Sequence, residues 1–138
     1  MTSSSTHPNV ATLRAIYADL RCIGEHVADD VVLHAAEREL PGMKTRYIGR
    51  AEVVAKELDL IRLTDDTLVM DVQDMQANDH FGAVIGTLRA HLRGRDMAMP
   101  FCGLWRFRNG LAVEHWENAY DAGTFGRFLM GQAVDVAT

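Results

Sequence analysis

Arg89 and His91 stand two residues apart in the apolar segment Leu88-Arg89-Ala90-His91-Leu92. Residues two apart on a strand share a face, so a guanidinium and an imidazole would lie side by side. An imidazole titrates near neutral pH and can both take and return a proton. A neighbouring guanidinium lowers its pKa, which favours the neutral base, and can also stabilise an oxyanion. Further along, Glu114, Trp116, Asn118 and Tyr120 repeat the two-residue spacing. Asn118 offers an amide that can orient a water or a carbonyl. Glu114 offers a carboxylate partner, without which burying Arg89 costs several kcal/mol. Together these groups suit proton transfer next to a carbonyl: aldol-type cyclisation, isomerisation or dehydration, with no cofactor.

The groups meet only if strand register brings them together. Asn109-Gly110 tolerates positive φ at both positions and predicts a two-residue hairpin turn. That turn pairs Arg108 with Leu111, Trp105 with Glu114, Gly103 with Trp116 and Phe101 with Asn118. Paired residues point to one side, so Phe101, Trp105, Glu114, Trp116, Asn118 and Tyr120 form one wall. A three-residue loop, Gly94-Arg95-Asp96, adds Arg89 and His91 to it. A two-residue loop, or a bulge near Pro100, breaks that parity. Aromatic walls with a few polar groups describe a small-molecule pocket. His115 and Glu117 alternate onto the other face. His34, in the short strand 31–34, is a further candidate for the pocket.

The elements that carry these residues follow from periodicity. Asn9 reads as the N-cap of a helix with Val10, Leu13, Ile16, Tyr17 and Leu20 on one face. Ala51, Val54, Leu58 and Ile61 line one face of a second helix after Gly49. From Thr67 the period changes to two, giving strands at 67–77, 81–93, 97–108 and 111–120. Asp121 caps a last short helix through Phe125, Phe128 and Leu129. Helices followed by an antiparallel meander predict an α+β fold with helices on one face of a sheet. The strand from Phe81 is apolar on both faces, so both faces should be covered. A second copy is the simplest cover, and a homodimer is expected.

Composition bounds the rest. The 138 residues, 48% hydrophobic and 24% charged, suit one domain. Residues 1–8 read as a flexible tail and 9–138 as the domain. A net charge of −5 argues against nucleic-acid binding. Two cysteines make no disulfide framework, no His/Cys spacing suggests a metal, and no apolar run is long enough to cross a membrane. The start lacks a secretory pattern, which leaves a cytoplasmic protein as the expectation.

Several segments resemble the nuclear transport factor 2-like superfamily. Ala28-Asp29-Asp30-Val31-Val32-Leu33-His34 is similar to the first strand of SnoaL-like polyketide cyclases and ketosteroid isomerases. Tyr47-Ile48-Gly49-Arg50 resembles their loop-to-helix junction, and Gly110 to Trp116 the last strand of SnoaL-like proteins. Met99 to Trp105 and Trp116 to Phe125 resemble limonene epoxide hydrolase. The resemblance implies a cone-shaped α+β barrel, a curved, mostly antiparallel sheet wrapped around helices with a central apolar pocket for a small apolar substrate. It also implies that Tyr17 matches an oxyanion-donating Tyr of the isomerases, whose base position holds Ala35. Arg89 matches the Arg of the hydrolase Asp-Arg-Asp triad, with His91 and Asn118 where its two Asp residues stand. The main expectation is a cofactor-independent acid/base enzyme using His91, Arg89, Asn118 and Tyr17. A non-catalytic ligand-binding or dimerisation module and an epoxide hydrolase with an altered triad are the alternatives.

Overall fold

The computed structural model describes residues 7–38, 42 and 44–131. The chain runs α1 (Pro8–Ala18), a 3₁₀ segment (Leu20–Glu25), β1 (Val27–His34), β2 (Arg46–Ile48), α2 (Arg50–Leu63), β3 (Val69–Ala77), β4 (Phe81–Leu92), β5 (Arg95–Arg108), β6 (Leu111–Ala119) and α3 (Ala122–Leu129). Six strands form one mixed sheet in the order β2-β1-β6-β5-β4-β3. All neighbours are antiparallel except β1 and β6. The sheet is open, with β2 and β3 as its edges. The expected α+β architecture is therefore present as a curved sheet that does not close.

Proline at the first helical position suits α1, because its missing N–H has no partner there anyway. His7, not Asn9, is the N-cap, and its Nδ1 accepts from the Asn9 backbone N–H. Asn9 instead donates its side-chain amide to the carbonyl of Asn78. His7 and Pro8 thus belong to the start of α1; the rest of the proposed tail, 1–6, lies outside the described residues, as do 132–138. No described helix is long and apolar enough to cross a membrane.

α1 packs on β3 and β4, burying Val10, Leu13 and Ile16. α2 packs on β1 and the 3₁₀ segment, but on a different face from the one expected. Val53, Glu57 and Leu60 are buried, while Ala51 and Leu58 are exposed. The apolar residues of α2 wrap round it widely enough to hide a carboxylate in the inward stripe. Val84, Leu88, Phe101, Trp105 and Phe107 complete the core from the sheet. Cys22 and Cys102 are free.

Register departs from expectation twice. Arg93 and Gly94 both have positive φ and form a two-residue turn, so Leu92 pairs with Arg95 and Arg89 with Ala98. The second departure is a β-bulge. Asn109-Gly110 does pair Arg108 with Leu111 and Phe107 with Ala112, but Arg106 then pairs with Glu114. Val113 is the extra residue. A slip of one residue exchanges the faces of a strand. Trp105 therefore stands opposite His115, Gly103 opposite Glu117 and Phe101 opposite Ala119.

Candidate active site

Those two shifts decide which side chains point inward. Arg89 and His91 lie on the outer face, exposed, and pair with Asp71 (3.6 Å) and Asp96 (2.6 Å). Glu114 and His34 are also outside. His34 Nε2 lies 2.7 Å from Glu114 Oε2, its ring stacks on Trp116, and Glu114 also accepts from Arg106. Tyr120 follows β6 and is 81% exposed. Asn118 lies where the interior cavity meets an outer groove and lines both. Its Oδ1 accepts from Arg38 and its Nδ2 donates to Cys102 O at 3.0 Å, so the amide is committed to the backbone and Arg38. Of the ten residues selected from sequence, Tyr17, Phe101, Trp105 and Asn118 line the interior cavity.

That cavity, about 50 Å³, lies between α1, α2, α3 and the inner face of the sheet. Its walls are apolar: Leu60, Leu68, Met70, Leu88, Ala119 and Phe125 among them. Besides Asn118, polar side chains of Tyr17, Glu57, His115 and Glu117 line it.

Tyr17 is placed by the helical period of α1 and by a glycine. A Cβ at Gly103 would come 2.1 Å from the Tyr17 hydroxyl, so only glycine allows the phenol to lie on the sheet. Tyr17 stacks on Phe101 and meets Trp105 edge-on. Trp105 Nε1 donates to the Tyr17 oxygen at 3.2 Å, leaving the hydroxyl proton to be donated elsewhere. Burial holds the phenol pKa above its ordinary value, so Tyr17 stays a neutral donor.

His115 stacks on Trp105 with ring centroids 3.5 Å apart. A carbonyl can only accept, so the 2.9 Å contact to Leu104 O places the proton on Nδ1. Nε2 then carries a lone pair. Burial pushes the imidazole pKa down to about 4, and His115 is neutral near pH 7.

Glu57 and Glu117 form the electrostatic centre. Both carboxyls line the same buried chamber, and like charges so placed disfavour ionisation of both. Burial, and then the neighbouring Glu117 charge, hold the pKa of Glu57 well above the carboxylate range. Glu57 Oε1 is buried with no hydrogen-bond partner among the described residues, which disfavours the charged carboxylate. Burial is the largest single influence on Glu117 and acts upward, but its neighbours, Lys56 foremost, together outweigh it and hold Glu117 below its ordinary value. Lys56 Nζ lies 3.2 Å from Glu117 Oε1, with only 11% of its side chain exposed. Burial disfavours the ammonium, yet Glu117, Glu57 and Glu37 together raise its pKa. The set is a neutral acid, an anionic base and a fixed cation at one end of an apolar chamber. Sequence reasoning assigned His115 and Glu117 to the outside and did not single out Glu57 or Lys56. A carboxylate four residues after Val53 and three before Leu60 was the available signal. No group of three or more His, Cys, Asp or Glu side chains among the described residues could hold a metal ion.

Comparison with known proteins agrees with the fold. A search of curated proteins finds no match. Among solved structures, the chain is similar to Bal32a from a soil-derived mobile gene cassette, with 21% identity, 88% of this chain and 96% of that one covered, and a TM-score of 0.76. It is similar to a nuclear transport factor 2-like protein of unknown function from Burkholderia pseudomallei K96243, with 25% identity, 90% and 98% covered and a TM-score of 0.71. It also resembles IdmH of Streptomyces antibioticus, a candidate polyketide cyclase, with 21% identity, 91% and 99% covered and a TM-score of 0.67. The SnoaL-like domain model matches residues 13–115. That span reaches from α1 to the polar centre of β6, and the chain belongs to the SnoaL-like domain family of the nuclear transport factor 2-like superfamily.

Proposed function

We propose that this chain is a cofactor-independent acid/base enzyme acting on a small, apolar carbonyl compound. The observation that carries the reading is the pair Glu57 and Glu117 lining one apolar chamber, with the proton affinity of the first pushed up by burial and that of the second held down beside Lys56. Two carboxyls whose proton affinities are driven apart supply an acid and a base at one pH. Glu117, anionic beside Lys56, takes a proton from the carbon next to the carbonyl. The C–H electron pair moves to the carbonyl oxygen as an enolate. The Tyr17 hydroxyl and the Glu57 proton stabilise that oxygen. The proton returns to another carbon in an isomerisation. In a cyclisation the enolate carbon attacks a second carbonyl of the same molecule, and Glu57 protonates the alkoxide formed. Polyketide cyclase-like fold neighbours are consistent with the latter. The roles first given to Arg89 and His91 pass to Glu117 and Glu57.

Exchange of α-hydrogens in D₂O tests this without knowing the substrate. With 2-tetralone as a neutral probe, Glu117→Gln should slow enzyme-dependent exchange by about 10²–10⁴-fold. Undiminished exchange by a folded Glu117→Gln variant overturns the assignment. The same pair supports a second reading, epoxide hydrolysis, in which Glu117 takes a proton from water and Glu57 gives one to the epoxide oxygen. Turnover of styrene oxide separates the two.

The outer face supports a homodimer. Phe81, Ile85 and Leu104 are 57%, 50% and 41% exposed, and Phe81 and Leu104 line an open groove of about 650 Å³ with Trp116. A contiguous apolar patch of this kind asks for a cover. Light scattering at micromolar concentration should give a dimer, and Ile85→Asp should give a monomer.

A further inference from the structure

The interior chamber is too small to enclose a whole polycyclic substrate. At about 50 Å³ it has room for roughly four water-sized groups. It does not end there. A second recess of about 320 Å³ shares Tyr17, Leu20, Leu68 and Met70 with it. These four side chains form a collar between an inner chamber and an outer vestibule. Beyond the collar the vestibule is lined by Asp19, Arg21, Ile61 and Asp66, among others.

The charges of the two compartments point the same way. Among the described residues, no Lys or Arg lines the inner chamber. The cation next to it, Lys56, is engaged by Glu117. In the vestibule the guanidinium of Arg21 is engaged by Asp19, with Nε and Oδ1 2.9 Å apart. Asp66 adds an exposed carboxylate to that wall. A carboxylate or phosphate on the ligand would lose its water in the chamber and meet no free cation there. In the vestibule it would face a formal excess of negative charge.

We infer that the ligand is a neutral, two-part molecule: a carbonyl head of a few heavy atoms in the inner chamber, and a flat apolar body that passes the Leu20–Leu68–Met70 collar into the vestibule. This rests on the Glu57–Glu117 end being the reacting end. It excludes ligands delivered as free carboxylates or as phosphate-bearing thioesters. The flat shape follows from the collar, where Tyr17 presents an aromatic face and the other three side chains are unbranched at Cβ.

Binding tests the inference independently of turnover. Trp105 lines the chamber, and Trp116→Phe on the outer face leaves it as the sole indole reporter. The probes are 2-acetylnaphthalene, 6-acetyl-2-naphthamide and 6-acetyl-2-naphthoate, the last two nearly equal in shape. The ketone and the amide should quench Trp105 fluorescence. The naphthoate should bind about tenfold weaker or worse at pH 7.5. Asp66→Lys, an exposed change, should narrow that gap. Met70→Phe, which adds no second indole, should fill the collar and weaken all three. Equal affinity for amide and naphthoate overturns the inference, as does the absence of binding by the ketone at about 1 mM. Probe binding unaffected by both Met70→Phe and Asp66→Lys also overturns it. A Glu117→Gln variant that keeps full exchange activity while these preferences hold would overturn the acid/base reading and leave the ligand class standing.

Discussion

The two faces of the sheet carry the same kinds of polar residue with opposite consequences. Outside, Arg89–Asp71 and Arg106–Glu114 are ion pairs and His91–Asp96 is a hydrogen bond, all in contact with water. Inside, Glu57, Glu117, Lys56 and His115 have been removed from it. Water screens the outer pairs, so each contributes little. The inner groups cannot choose charge states independently, because each charge must be matched by a neighbour. Residue type alone does not make a catalytic candidate. Desolvation does, and desolvation is a property of the face.

The sharpest way to break this contrast is to remove the inner cation. Lys56→Met leaves two buried carboxyls with no counter-charge and should cost about 3–5 kcal/mol in urea unfolding at neutral pH. It should also move the acid limb of any exchange-rate profile to higher pH, since Glu117 is no longer held down. The next effect concerns His115. A pKa moved from 6.5 to about 4 means that, between those values, the unfolded chain binds a proton that the folded chain refuses. Stability should therefore fall as pH drops through that window, by about 3 kcal/mol in all. His115→Phe should flatten this slope, and urea midpoints at stepped pH will show it. Gly103→Ala should cost about 1–3 kcal/mol, because Tyr17 must leave the sheet, and should weaken its bond to Trp105. Near-ultraviolet circular dichroism would register the displaced aromatic rings. The smallest effect belongs to the outer face. Arg89→Ala and His91→Ala should each change stability by no more than about 0.5 kcal/mol and leave exchange activity intact. A large loss of activity in either would erase the distinction between the faces.

The fold was legible because its signals are local. Alternation placed β3 to β6 within a few residues, and Asn109-Gly110 identified its turn. Tyr17, Phe101 and Trp105 were also legible, because aromatic side chains on a given parity of α1 and β5 have few alternatives to the core. What failed was register, which depends on two strands at once. The glycine in Arg93-Gly94-Arg95 allows either a two- or a three-residue turn, and the wrong choice brought Arg89 and His91 inside. Val113 leaves only a faint mark, two successive buried residues at Ala112 and Val113. Glu57 was missed for a different reason. Burying a carboxylate is costly, so its position on the inward stripe of α2 was outvoted by Leu58, which is 46% exposed. A residue that breaks the cheap rule is the one whose proton chemistry is altered.

The bulge at Val113 also makes the site a matter of reading frame. Deleting this one residue would let the hairpin run in unbroken alternation. Glu114 would still face Arg106, and His115 and Glu117 would keep their inward face. Keeping Val113 but losing the bulge would instead set Val113 opposite Arg106 and turn both side chains outward. The chemistry is therefore held in place by whether the extra residue is looped out of the ladder, and across similar folds a bulge between the Asn-Gly turn and the last strand's carboxylate should predict which members of this spacing keep an interior base.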